Sequence, residues 1–199
     1  MSGSIFSRFA KLGVVALASL ALTACGINSV PTAEEAAKAR WADVQAAFQE
    51  RANLVPNLAE VAKSAAEQER AILTDVIEAR AKATSIQLSA DDLNDPAKMQ
   101  QFQQAQDQFS SALSRLLVTV ERYPELKAVK GFQDFQTQYE GMENRIGVER
   151  RKFNDVAREY NNRIKRFPGN LIAGMFGFTE KGYFEAQEGT ENAPDISFK

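Results

Sequence analysis

Few side chains in this sequence combine reactive chemistry with useful spacing. Glu140 and Glu143, and again Glu185 and Glu188, place two acids one helical turn apart, the spacing at which a helix can offer paired carboxylates to a metal. The histidines that usually complete such a site are missing, because the 199-residue chain has none. The commonest general base goes with them, and both acid pairs read as solvated helix faces. Ser64, Ser110, Ser111 and Ser114 have no base partner suggested by the sequence, which leaves a Ser–Lys nucleophile as the alternative. Gly174-Met175-Phe176-Gly177 has neither the lysine nor the spacing of a phosphate loop. Arg51 and Arg163 fall on otherwise apolar seams, where pairing with Glu149 or Glu60 would fix helix register; an anionic-ligand or partner site is the alternative. Asn53, Asn57, Asn161 and Asn162 are expected to cap helices and tie loops. The expectation is a protein with no catalytic residue, no metal and no cofactor.

A different chemistry is written at Cys25, the only cysteine. Arg8 and Lys11 precede an apolar run over residues 12–22, a signal-like segment too short to span a bilayer as a helix. Leu22-Thr23-Ala24-Cys25 then resembles a bacterial lipobox. That motif implies diacylglyceryl transfer to the Cys25 sulfur, cleavage before Cys25, and acylation of the new amine by a chain such as palmitate. The alternatives are an ordinary signal peptide with an accidental cysteine, or an uncleaved anchor; a free thiol in an oxidising compartment would be a liability. Two or three acyl chains, at roughly 0.8 kcal/mol per buried CH₂, would hold the mature protein on a membrane without spanning it. By resemblance to Gram-negative lipoprotein sorting, Gly26 in place of Asp favours the outer membrane where the cell has one. Loss of residues 1–24 removes Arg8 and Lys11 and no acid, giving 22 minus 26, or −4. Nothing basic and clustered remains for nucleic acid, and one cysteine excludes internal disulfides and thiolate zinc sites.

The elements that must carry these residues read as helices. From Phe132 the apolar series Phe135, Tyr139, Met142, Ile146, Phe153, Val156, Tyr160 and Phe167 alternates steps of three and four, broken only by Glu149 and Arg163. That spacing predicts one long helix with a seam, about 54 Å if it reaches Phe167. Such a helix needs partners. Thr32 with Glu35 fits a capping box that would start the first helix, with Ala37, Trp41, Val44 and Phe48 inward. Pro56 either kinks a continuous helix or follows a reversal; the length of the next helix favours a reversal near Pro56. Val61, Ala65, Ile72, Val76 and Ala79 would face inward on a second helix running to about Thr84. Asp95-Pro96 matches the N-cap and N1 preferences of a third, along which Met99, Phe102, Gln106, Phe109, Leu113, Leu116 and Val120 keep helical phase through a glutamine-rich tract. The expected fold is all-α, an antiparallel four-helix bundle of long helices with an irregular apolar C-terminal segment. Residues 1–24 would be the signal, 25–31 a lipidated tether, 32–186 the bundle with its C-terminal box, and 187–199 a disordered tail.

The C-terminal box is dense in apolar residues and punctuated by glycine. Phe167, Leu171, Ile172, Met175, Phe176, Phe178, Tyr183 and Phe184 either fold back to cap one end of the bundle, the favoured expectation, or form an interaction surface. Arg51-Ala52-Asn53-Leu54-Val55-Pro56-Asn57-Leu58, the Tyr160-Asn161 pair, Phe167-Pro168 through Phe178, and Tyr183-Phe184 together resemble the LemA family over roughly residues 41–186. The resemblance implies an all-helical domain tethered to a bacterial envelope membrane and brings no catalytic residues. Members commonly carry an N-terminal transmembrane anchor, so the lipobox departs from the pattern in the mode of anchoring. The resulting expectation is a non-catalytic envelope lipoprotein, facing the periplasm on a lipid anchor and acting as a structural or adaptor module for an envelope or periplasmic protein. The alternatives are lipid binding or membrane remodelling, and an accessory subunit of an envelope enzyme.

Overall fold

A computed structural model describes residues 28–61, 67–124 and 130–185, with side chains described except over 57–61 and 67–70. The signal segment, Leu22, Thr23, Ala24 and Cys25, and the expected disordered tail lie outside the described residues, as do Ser64, Glu188 and the side chains of Asn57 and Glu60. Four long helices follow one another: α1 (Ser29–Val61), α2 (Glu67–Ser85), α3 (Pro96–Glu121) and α4 (Lys130–Lys165). A 3₁₀ turn (Asp92–Asn94) leads into α3, and a short α5 (Gly169–Phe176) follows α4. No strand occurs among the described residues.

Helix α3 follows its sequence pattern residue for residue, with Met99, Phe102, Gln106, Phe109, Leu113, Leu116 and Val120 all buried. Its start is set by Asp95, whose carboxylate accepts from the Ala97 and Lys98 N–H groups at 2.9 and 3.3 Å. Helix α4 follows its seam only in part. Phe132, Phe135, Tyr139, Ile146, Phe153 and Tyr160 are buried, but the stripe then passes to Ala157, Asn161 and Ile164. Arg163 and Phe167 are exposed, and the helix stops at Lys165, short of Phe167. A strict 3.5-residue repeat drifts by about 20° per heptad against a straight helix, so four or five heptads move the inward face by about one residue.

Two expectations about α1 are corrected. Thr32 is not its N-cap: the helix begins at Ser29, and both the Thr32 N–H and hydroxyl donate to the Asn28 carbonyl, at 3.1 and 2.7 Å. Pro31 fits there because the first turn needs no N–H from it. The second correction concerns Pro56, which lies inside α1 with no reversal beside it. A proline at 56 leaves the Ala52 carbonyl without its helical donor. Arg80 of α2 supplies the replacement, its Nε donating to the Ala52 oxygen at 2.8 Å.

Helix α1 packs along α4, and α2 along α3. The core divides into three clusters. Ala52, Val55, Val76, Leu113, Phe132 and Phe135 belong to the first, Trp41, Phe48, Met99, Phe102, Phe153 and Phe184 to the second, and Val30, Tyr160, Ile164, Ile172 and Ala173 to the third. In the second, the Trp41 ring meets Phe102 and Phe153 edge-on at 5.4 and 5.6 Å and stacks on Phe184 at 6.0 Å. Its indole N–H donates to the Leu88 carbonyl at 3.1 Å, which fixes the connection between α2 and α3.

Candidate functional site

The C-terminal box divides into two parts of different character. Gly169 starts α5 at a position where a Cβ would come within 2.1 Å of the Arg163 carbonyl oxygen, so only glycine lets the chain turn back this tightly. Gly177 ends α5 in the left-handed region at φ 74°. Between them Ile172 and Ala173 are buried against Val30 and Tyr160, while Leu171, Met175 and Phe176 are 58%, 79% and 66% exposed. Phe167 is 79% exposed. The residues after Gly177 leave helical structure and lie as an extended strap along α4.

The strap is held by side-chain amides that take the part of a neighbouring strand. Asn161 accepts from the Lys181 N–H and donates to the Lys181 carbonyl, both at 2.9 Å. Seven residues earlier on α4, Asn154 accepts from the Phe184 N–H at 2.9 Å and donates to its carbonyl at 2.8 Å. Gln103 of α3 repeats the pattern on Glu185, and the Gly182 N–H donates to the Leu93 carbonyl at 2.7 Å. At Lys181 and Phe184, backbone groups that would otherwise be buried without partners are thereby satisfied. Two side chains of the strap are inserted. Phe184 enters the Trp41 cluster with the Arg150 guanidinium 4.8 Å from its ring. Lys181 is 2% exposed; its ammonium lies 3.5 Å from a Glu34 oxygen, 3.4 Å from that of Asn94, and 5.1 Å from the Tyr160 ring centre. Burial pushes the Lys181 pKa below its ordinary value, against the opposing pull of Glu34. The Tyr160 phenol donates to the Thr179 carbonyl at 2.9 Å, and burial pushes its pKa up to about 12.

A second polar group crosses the middle of the molecule. Arg51, 2% exposed, lies between the rings of Phe48 and Phe109 at 5.1 and 5.0 Å. It donates to Glu143 at 2.8 Å, and to the carbonyl and side-chain oxygens of Gln106 at 3.1 and 2.7 Å. The Gln106 amide donates in turn to the Ala83 carbonyl at 3.1 Å, and the Ser110 hydroxyl to Glu143 at 3.1 Å. One network therefore joins α1, α2, α3 and α4. Only the Arg51 Nε lacks a partner among the described buried side-chain atoms.

The remaining candidates are dispersed or engaged. Arg163 pairs with Glu159 on the surface of α4, and Glu149 with Lys152, so Glu149 fixes register with neither Arg51 nor Arg163. Ser110 and Ser114 share the Tyr139 hydroxyl. Ser111 lines an open cleft of about 670 Å³ with Lys82, whose ammonium is bound to Gln108 at 2.8 Å. Glu140 bonds Gln136, away from Glu143 and its arginine. Among the described residues no group of three or more potential ligands could hold a metal, and no helix is long and apolar enough to cross a membrane. Lys181, Asn154, Gln103 and Arg80 escaped the sequence reading. The one available signal was the seven-residue spacing of Asn154 and Asn161, which puts both amides on one face of α4.

The sequence model of the LemA family matches residues 40–198. Two magnetosome proteins of Paramagnetospirillum magneticum, MamQ 2 and MamQ 1, are each 36% identical over 77 residues, 39% of this chain and 28% of theirs. Magnetosome protein MamQ of Magnetospirillum gryphiswaldense is 36% identical over 76 residues, 38% of this chain and 28% of its own. The matched stretch thus spans little more than a quarter of these relatives.

Proposed function

The chain belongs to the LemA family, and from that membership we propose that it is a non-catalytic envelope protein, held on a membrane by acylated Cys25 and serving as a structural or adaptor module for a periplasmic or membrane partner. The observation that carries this reading is the employment of the reactive side chains. Arg51, Glu143, Gln106 and Ser110 are spent on joining four helices, and Lys181, Asn161, Glu34 and Tyr160 on holding the strap. An active site keeps an acid, base or nucleophile facing a space for substrate; these groups face one another. The scaffold of the reading is an antiparallel four-helix bundle. Its support is the order of the cross-helix contacts: Trp41 meets Phe153 and Arg51 meets Glu143, while Ala83 meets Gln106 and Val76 shares a cluster with Leu113. The LemA membership and the magnetosome-protein names of the relatives support a membrane address, and the Leu22-Thr23-Ala24-Cys25 motif supports the lipid anchor and its periplasmic orientation.

The test is cross-linking in living cells of the full chain against its Cys25→Ser variant, with labelled palmitate fed to both. The expected result is palmitate incorporation in the first alone and a partner set that depends on Cys25. A purified full chain that turns over a substrate, with activity abolished by one substitution in the Arg51 network, would overturn the reading.

A further inference from the structure

Nine large apolar side chains are exposed among the described residues, and five of them, Phe167, Leu171, Met175, Phe176 and Tyr183, belong to the C-terminal box. The other four, Ile77, Val118, Tyr123 and Val148, lie on α2, on α3 and just beyond it, and on α4. Leu171 and Met175 stand four residues apart on α5 and so share the face turned away from buried Ile172 and Ala173. Phe176 projects at the C-terminal end of that helix, its ring 6.4 Å from that of Phe178. Four exposed apolar side chains within ten residues, Phe167, Leu171, Met175 and Phe176, mark this end of the molecule as an interaction site.

The place of the face in the molecule identifies what covers it. Val30, at the start of α1, shares a buried cluster with Ile172 and Ala173, and a Cβ on Gly169 would come 3.4 Å from the Val30 side chain. The apolar face therefore sits at the end of the molecule where the described chain begins. Cys25 is three residues before Asn28, and three residues reach at most about 11 Å. An acylated Cys25 would keep this end within about 11 Å of the bilayer surface. Exposed Arg166 flanks the face, suited to anionic headgroups, while its neighbour Lys165 is paired with Glu180 at 2.7 Å. Resting on the Cys25 anchor, we propose that the face formed by Phe167, Leu171, Met175 and Phe176 beds into the membrane interface. The lipid anchor and α5 are then two contacts with the same bilayer, and the long helices project away from it in a fixed direction. A lipid anchor at one residue leaves a protein free to swivel; a second apolar contact removes that freedom.

The full chain, reconstituted in phosphatidylethanolamine–phosphatidylglycerol vesicles with brominated acyl chains, provides the test. Native Trp41 is 2% exposed and serves as internal reference. Phe176→Trp adds a fluorophore on the face; Val118→Trp adds one on the C-terminal part of α3, where Leu116 and Val120 belong to the cluster at the opposite end. Both replace exposed side chains, and circular dichroism verifies the fold. At least twofold quenching of the added Phe176→Trp emission, with Val118→Trp unquenched, is expected. The further change Leu171→Ser with Met175→Ser should abolish that quenching. Unquenched Phe176→Trp emission in a chain that still incorporates palmitate would overturn the bedded face and leave the anchor intact, as would a blue shift without quenching, which in these vesicles marks contact with a second copy of the chain. Quenching without palmitate incorporation would support the face and remove the lipid anchor. Equal quenching at both positions would overturn the fixed orientation.

Discussion

At Tyr160 a single hydroxyl couples the strap to pH. The phenol is 1% exposed and donates to the Thr179 carbonyl, and its pKa stands at about 12 in the folded protein. A folded value above the unfolded one, near 10, means that the stabilisation is whole below pH 10 and is lost as pH climbs towards 12. Two units correspond to about 2–3 kcal/mol. Lys181 has the opposite sign: its lowered pKa adds stability with rising pH from its folded value up to about 10.5, so it cannot mask the loss above that. Urea unfolding should show the native chain losing about 2 kcal/mol more than Tyr160→Phe between pH 10 and 12; parallel pH curves would refute the assignment. Arg51 makes an asymmetric prediction. Glu143→Ala strands a buried guanidinium and should cost about 3–5 kcal/mol, whereas Arg51→Met leaves only a neutral amide unpaired and a glutamate still 31% exposed to water, for about 1–3 kcal/mol. Equal losses in denaturation would show that the charge is not the costly part.

Helix α1 survives its proline because another helix serves the carbonyl that the proline abandons. The Arg80 Nε reaches the Ala52 oxygen from 28 residues along the chain, which yields a double-mutant cycle. Removing the guanidinium by Arg80→Met should cost about 1–3 kcal/mol in the native chain. In a Pro56→Ala background the alanine N–H restores the helical bond, and the same change should cost about 1 kcal/mol less. Additive losses would show that Arg80 does not serve as the substitute donor. The same residues mark the limit of what the sequence discloses. Local signals were legible wherever cause and effect share one turn: Asp95 before Pro96, or the three–four series from Met99 to Val120. The place of Pro56 is not legible locally because its compensation comes from a distant helix, nor is the role of Thr32, because Pro31 tolerates a turn ahead of the capping motif. The outward position of Arg163 is hidden because a 3.5-residue repeat cannot show over which heptad a straight helix drifts past it. Lys181 carried no signal at all, since its pocket is assembled from Glu34, Asn94 and Tyr160, three segments that meet only in the fold.

Across the whole molecule the strap links the second and third core clusters and leaves the first alone. Phe184 fills the second cluster among Trp41, Phe48 and Phe153. Asn161 and Tyr160 tie the preceding residues to the third, while the first, around Val76, Leu113 and Phe135, receives no strap residue. Stability should therefore be divided along the long axis. Phe184→Ala removes a buried aromatic and should cost about 3–5 kcal/mol, because a cavity beside three rings cannot collapse far. The loss should fall first where the strap lies. Hydrogen exchange of the full chain should quicken at the N-terminal part of α1, about residues 29–48, and the C-terminal part of α4, about 146–164. The amides of α2 and of the C-terminal part of α3, bound to the cluster the strap does not touch, should hold their protection under the same conditions. A uniform acceleration through all four long helices would mean instead that the three clusters open as one cooperative unit, with the strap only one more packing residue within it. Divided stability would also separate two tasks along the length. The end bearing Val30 and α5 would depend on the strap for its order, and the end bearing Phe132 would keep its fold whatever happens to the strap.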